Sequence, residues 1–274
     1  EPEVLKFIVV SDLHLVPEGK LSHGIDTSVR LRMAIEHINA HHHDAAFCIL
    51  AGDLADHGDP AAYVRLSEML PALRLRPVLT LGNHDDRGSF ADVFGAGQLA
   101  ETGRADHVID AGGYRVLVLD TLVEGTHEGA LSEAQYDWLA ARLDAARDRP
   151  VIVVVHHAIA DLGVPTDFIN LRDKPRFAAA LNAHGDVRQV ISGHVHMSTA
   201  GSYRGIPFTT ISGCHYNIFP QLHGPLDSIP RLEGPGQIGV VLATEDGVVV
   251  HHENFLDRHP RQPPELFRWD RDGD

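Results

Sequence analysis

Basic clusters, thiols and long apolar runs are what this sequence has least of. Among 274 residues only two are cysteines, Cys48 and Cys214. Two cysteines make no disulfide framework and no thiolate metal cage. Cys48 stands inside an apolar run and reads as a small buried hydrophobe. No apolar run approaches the roughly 20 residues that span a bilayer as a helix, so no membrane partner is expected. The N-terminus shows no basic region followed by an apolar core and a cleavage site. Cytoplasm is therefore the default location, although the absent initiator Met leaves open a signal already removed. Lys and Arg number 23 against 38 Asp and Glu, a net charge of −15. Binding a nucleic acid polymer draws on clustered Lys and Arg, and there is no such cluster.

What the chain does have is ordinary globular composition and an excess of histidine. Hydrophobic residues make up 43% and charged residues 22%. At this length the chain can bury a large core as one α/β domain, over about residues 1–256, with a short tail. Residues 257–274 are rich in proline and charge and read as disordered or laid over a partner subunit. Twenty histidines are many, and imidazole is the commonest metal ligand among side chains.

The histidines recur at one kind of place. Leu5–Val10, 46–50, 77–81, 151–155 and 187–191 are apolar, β-branched runs of strand length. Each runs into Asp, Asn or His: Asp12 and His14, Asp53, Asn83 and His84, His156 and His157, His194 and His196. Helical patterns fall between them, from a Thr27 N-cap to about Asn39, from Pro60 to about Leu70, and from Pro175 to about Ala183. Ser132 to Gln135 is a capping box opening another. Strand–helix–strand alternation implies parallel strands, and sites in such sheets lie at the strands' C-terminal ends. After His196 the strands 207–211, 236–243 and 248–252 are joined by short turns and fit a second, antiparallel or mixed sheet. The tract His41–His43 reads as a solvated connection.

If these strand ends share one edge, Asp12, His14, Asp53, Asn83, His156, His194 and His196 converge. Seven donors are too many for one ion with an open position and suit two ions with a shared carboxylate. Imidazole, carboxylate and amide without thiolate suit Mn, Fe, Zn or Co. Adjacent residues in a strand point to opposite sides, so one of His156 and His157 is expected to be a ligand and the other a neighbour. Gly82 reads as a place where backbone approaches a ligand.

The ordered set Asp12-x-His14, Gly52-Asp53, Gly82-Asn83-His84, His156-His157 and Gly193-His194-x-His196 resembles the five blocks of the calcineurin-like metallophosphoesterases. Gly52 to Asp56, Gly82 to Arg87 and Leu119-Asp120-Thr121 are more similar to the bacterial class III cyclic nucleotide phosphodiesterases and related glycerophosphodiesterases. The resemblance implies a four-layer βαβα sandwich of two mixed sheets flanked by helices, and a homodimer or larger homo-oligomer. It implies one ion on Asp12, His14 and His196, a second on Asn83, His156 and His194, and Asp53 between them. Asn83, His84 and Asp53 would be catalytic, with His84 near the leaving oxygen. His215, soon after a strand, is a further candidate for contact with the substrate. Protein phosphatases of this superfamily have Arg where His57 stands and Glu where Asp85 stands, which counts against that activity. The expected reaction is hydrolysis of a small phosphodiester, 3′,5′-cyclic AMP or a glycerophosphodiester, by in-line attack of an activated water. A phosphomonoesterase and a non-catalytic scaffold are the alternatives.

Overall fold

The computed structural model describes residues 4–224 and 230–256. The tail expected to form a subunit contact lies outside the described residues. In chain order the elements are β1 (Leu5–Val10), α1 (Thr27–His41), β2 (Cys48–Ala51), α2 (Pro60–Met69), β3 (Pro77–Thr80), α3 (Arg87–Phe94), β4 (His107–Ala111) and β5 (Tyr114–Leu119). They continue with α4 (Glu133–Asp144), β6 (Val151–Val155), α5 (Lys174–Asn182), β7 (Val187–Ser192), β8 (Thr199–Tyr203), β9 (Ile206–Thr210), β10 (Asn217–Ile218), β11 (Arg231–Leu232), β12 (Gln237–Ala243) and β13 (Val248–Asn254).

Two mixed sheets carry the fold. One has the order β13-β12-β1-β2-β3, the other β4-β5-β6-β7-β9-β8. Strands β1 to β3 are parallel, as are β5, β6, β7 and β9. The antiparallel members stand at the margins. The expected division after His196 is corrected here. Strand β9 joins the sheet of β5 to β7, whereas β12 and β13 return to β1, with Leu5 opposite Ala243.

The apolar runs are continuous because both faces of each sheet are covered. Phe7 and Val9 of β1 face the other sheet and share a core with Ile49, Val116, Val118, Ile152 and Val154. Their neighbours Ile8 and Val10 turn the other way and pack with Leu31, Ile35 and Ile38 of α1 and Leu66 of α2. In the second sheet Leu117, Val153 and Val155 pack against Trp138 and Leu139 of α4 and Phe177 of α5. Helices, sheet, sheet and helices give the four expected layers. Each fully buried aliphatic side chain contributes roughly 1.5–3 kcal/mol. That apolar support allows the strand ends to carry costly polar groups.

Local signals explain most helix starts. Asp59 caps α2 with Pro60 at its first position, and Ser132 and Gln135 form the capping box of α4. The start of α1 differs from expectation. Asp26 is the cap, its carboxylate accepting from the Ser28 and Val29 amides, and Thr27 is already helical. Helix α1 also runs on through His41. His42 at its end is buried, so the tract is solvated only at His41 and His43. Helix α3, capped by Asp86, and strands β4 and β8 carry too weak a pattern to stand out in sequence. Among the described residues no helix is long and apolar enough to cross a membrane.

Candidate metal centre

The C-terminal ends of the parallel strands meet in one place, and backbone contacts hold the loops together there. The Asp12 amide donates to Gly52 O at 3.2 Å and the His14 amide to Asp53 O at 2.9 Å, which joins the loops after β1 and β2. Within the second sheet the Gly193 amide donates to His156 O at 3.1 Å, and across the sheets the His194 amide donates to Asp12 Oδ1 at 3.0 Å. The glycines permit this closeness. A Cβ on Gly193 would lie 2.6 Å from Asp12 Oδ2, and one on Gly82 would lie 2.5 Å from the Asp53 amide nitrogen. Gly82 thus makes room for Asp53 rather than for a ligand.

Five of the candidate ligands stand in the left-handed backbone region. Their φ angles are 55° at Asp12, 44° at His14, 50° at Asp53, 70° at His194 and 50° at His196. Only two other non-glycine residues among those described, His23 and Arg204, share it. Each costs roughly 1–2 kcal/mol and persists only where surrounding structure dictates it. The strain turns successive side chains inward at the strand ends.

The side chains form two adjoining groups. Donor atoms of Asp12, His14, Asp53 and His196 all lie within 4.8 Å of one another, as do those of His156, His157 and His194. Asp53 stands between the groups, its Oδ2 3.4 Å from His14 Nε2 and 3.2 Å from His156 Nε2. Asp53 Oδ1 accepts the His84 amide at 2.9 Å. Asn83, between Gly82 and His84, has a buried Oδ1 without a hydrogen-bond partner.

Outer hydrogen bonds determine which ring nitrogen faces inward. His14 Nδ1 donates to Asp56 Oδ1 at 2.9 Å, His196 Nδ1 to Tyr216 O at 2.7 Å, and His156 Nδ1 to Ala51 O at 2.9 Å. His194 uses Nε2, which donates to Ile169 O at 3.0 Å. His14, His194 and His196 then present an unprotonated nitrogen to the centre, the arrangement metal-ligating histidines need, and His156 does so once the proton it shares with Asp53 is displaced. His14 Nε2 and His196 Nε2 face each other at 3.2 Å. With both Nδ1 protons committed outward, two lone pairs meet head-on, and a cation between them relieves the repulsion. His156 Nε2 is buried without a hydrogen bond. These orphaned acceptors, with nitrogen and oxygen donors only, fit divalent ions.

His157 differs. Its Nδ1 is 2.7 Å from the Thr121 hydroxyl and its Nε2 is 3.2 Å from His127 O, so neither nitrogen is left over. It is the neighbour and His156 the inward group. His215 is fully buried, its ring 4.7 Å from that of His14 and its Nε2 3.3 Å from Ser22 O. A ring nitrogen of His215 lies within 4.8 Å of donor atoms of His14 and His196, and its Nδ1 is buried without a hydrogen bond.

Charge follows burial. Burial pushes the Asp12 carboxyl up to about 6. It opposes charge on Asp53 too, but His156 and other imidazoles hold that carboxyl well below the usual carboxylate range. In return Asp53 overrides the burial of His156 and raises the imidazole to about 9. Burial keeps His14, His194 and His196 neutral, the last down to about 4.

Three supporting residues escaped the sequence reading. Asp56 orients His14 and also accepts the Ser22 hydroxyl at 2.8 Å. Asp85 gathers the amides of Leu54, Ala55 and Gly82 and the Tyr63 hydroxyl, all within 3.1 Å. Tyr216 stacks on His196 with ring centroids 4.2 Å apart and planes 5° apart. The spacing Gly52-Asp53-x-x-Asp56 is a signal for the first and the block Gly82 to Arg87 for the second, but nothing local marks Tyr216.

Residues 5–198 match the calcineurin-like phosphoesterase family. This chain belongs to that family. Over 224 residues it is 36% identical to a probable cyclic nucleotide phosphodiesterase of Rhodococcus erythropolis, covering 78% of this chain and 73% of that protein. Over 256 residues it is 33% identical to a probable cyclic nucleotide phosphodiesterase of Rhodopseudomonas palustris, covering 92% and 93%. Its fold resembles that of a dimetal phosphatase from Danio rerio, with a TM-score of 0.70 at 16% identity, covering 93% of this chain and 98% of the other. The chain is therefore an enzyme, a metal-dependent phosphoesterase.

Proposed function

We propose that this phosphoesterase hydrolyses small phosphodiesters, cyclic nucleotides among them, at a dinuclear site. Asp12, His14 and His196 would hold one divalent ion, and Asn83, His156 and His194 the other, with Asp53 shared. The observation that carries the reading is the opposed pair His14 Nε2 and His196 Nε2, 3.2 Å apart beside Asp53. Two bound cations would neutralise phosphate charge and acidify a water for in-line attack.

The chain's own residues do the rest. Asp53 holds the two groups at one separation. Asn83, with its amide nitrogen 3.3 Å from His127 Nδ1, keeps its oxygen turned inward. His84 donates its Nδ1 proton to Asp56 O at 2.6 Å, so Nε2 remains for the substrate. That nitrogen carries a proton only as imidazolium, which nearby Asp53 and Asp56 favour, and it can then protonate a leaving alkoxide. On the side of Tyr216, which stacks on His196, a recess of about 290 Å³ is lined by His23, Tyr216, Arg231 and Glu233 among others. The Arg231 guanidinium lies 5.0 Å from the Tyr216 ring centre. A cation on an aromatic platform suits a flat, electron-rich group, so we assign the recess to the substrate's nucleoside side. The net charge of −15 supports a small ligand over a nucleic acid polymer.

The test is turnover of 3′,5′-cyclic AMP, 2′,3′-cyclic AMP, glycerophosphoethanolamine, bis-p-nitrophenyl phosphate and p-nitrophenyl phosphate by stripped protein reloaded with Mn²⁺. Metal-dependent turnover of diesters above the monoester is expected. Turnover of the monoester alone would overturn the diester reading and leave the metal centre standing.

A further inference from the structure

The structure gathers a second set of metal-binding groups that shares no residue with the first. His37 and His42, at the end of α1, meet Glu253 of β13, and one donor atom from each lies within 4.8 Å of the others. His37 Nε2 is 2.6 Å and His42 Nε2 3.3 Å from Glu253 Oε1. His42 is only 8% exposed, yet neither of its ring nitrogens makes a hydrogen bond. Its approach to Glu253 lacks hydrogen-bond geometry. A buried imidazole with no partner is costly. A coordinate bond from one nitrogen would remove much of that cost.

We infer that His37, His42 and Glu253 bind a divalent cation of the Zn²⁺, Co²⁺ or Ni²⁺ class, separate from the Asp53 centre. Two imidazoles and one carboxylate are three of the four ligands such ions take in tetrahedral sites. His41 follows His37 by one turn, its ring 4.6 Å away, but it is outside the set of three, so the remaining position is left to solvent. The site opens on a groove of about 490 Å³ lined by Lys6, His42, Asp44, His251 and Glu253 among others. His251 and Glu253 are two apart on β13, so they share a face. Glu253 lies opposite Ile238 of β12, next to the Gly239–Val9 pair, so the set stands two strands over from β1 and shares no residue with the Asp53 centre. The ion would clip the end of α1 to the edge strand β13 and so help hold β13 in its sheet.

The experiment is equilibrium dialysis of the full chain against Zn²⁺, followed by metal counting, on wild type, His42→Ala, Glu253→Gln, His43→Ala and Asp53→Ala. Wild type is expected to retain one more ion than His42→Ala or Glu253→Gln. His43→Ala, whose exposed ring is outside the set, should match wild type. Asp53→Ala should keep the extra ion, so the count stands even if the dinuclear reading fails. Zn²⁺ should also raise the melting temperature of Asp53→Ala but not that of Asp53→Ala with Glu253→Gln, a near-isosteric change. Equal counts in wild type, His42→Ala and Glu253→Gln would overturn the site. So would loss of the same ion in His43→Ala, which would mean loose binding to the histidine tract.

Discussion

Asp53 places its Oδ2 3.2 Å from His156 Nε2, close enough for the carboxylate to stabilise a proton on that nitrogen. Burial alone would lower the His156 pKa, but Asp53 raises it to about 9. Below that pH an ion must displace the proton to reach Nε2. Affinity should therefore rise with pH up to about 9, by about tenfold per unit for one displaced proton. Below about 6 the fall should steepen, because burial also lets Asp12 take a proton there. Calorimetric titration with Mn²⁺ in buffers of different ionisation enthalpy reads the proton count directly. An affinity flat between about pH 6 and pH 8 would show that His156 is not displaced.

His14 keeps its inward tautomer because Asp56 takes its Nδ1 proton at 2.9 Å. In Asp56→Ala the ring can turn or protonate the wrong nitrogen. Loss of such an outer partner typically weakens metal binding about 10–100-fold. The loss should fall on one ion of the pair, since His156 and His194 are oriented by Ala51 O and Ile169 O. Metal content at limiting Mn²⁺ checks this. Equal loss of both ions would mean that Asp56 acts on the whole fold.

His84 touches Asp53 through its backbone amide, not its ring. His84→Ala should keep both ions and lose about 10²–10⁴ in kcat, the usual size of general acid help. The deficit should shrink for substrates with good leaving groups such as p-nitrophenolate, which need no proton. Equal deficits for good and poor leaving groups would remove the acid role and leave His84 as a binding group.

What was legible in the sequence was the set of strand ends, because a doubly covered parallel strand is apolar throughout and its polar terminus stands out. His156 and Asp53 could be picked out for that reason. Their orientation was not legible. Ala51, Tyr216 and Ile169 orient three histidines through backbone carbonyls, and every residue has one. The left-handed turns at Asp12, His14 and Asp53 leave no compositional mark, since glycine would be the usual residue there. Sheet membership of β12 rests on pairing Leu5 with Ala243, a contact that local periodicity cannot encode. His42 was misread because burial at the end of α1 depends on Glu253, more than 200 residues away.

Asp85 is buried and holds backbone donors of the loops after β2 and β3, so its loss should fall on stability. It accepts from three amides and the Tyr63 hydroxyl, and that hydroxyl in turn accepts the Asp86 amide at 2.9 Å. Asp85→Ala leaves four buried donors without their acceptor, at about 1–3 kcal/mol each before relaxation and water entry. A net loss of about 3–5 kcal/mol is expected, read as a lower urea midpoint with the slope unchanged. A loss under about 1 kcal/mol would show that water replaces the carboxylate.

Tyr216 and Arg231 offer the sharpest test of what the enzyme selects. Tyr216 lies flat on His196, and Arg231 lies over its ring. Neither supplies a donor atom to the centre through its side chain, so Arg231→Ala should leave metal content unchanged. If the recess holds the nucleoside side of a diester, this variant raises KM for cyclic nucleotides about tenfold, near the scale of one desolvated cation–π contact. Glycerophosphoethanolamine, which has no ring to stack, should be affected far less. KM rising equally for both would place Arg231 on the phosphate, and its long-range charge would then be the one basic contribution to capture in an acidic chain. KM unchanged for both would move the recess out of the substrate path.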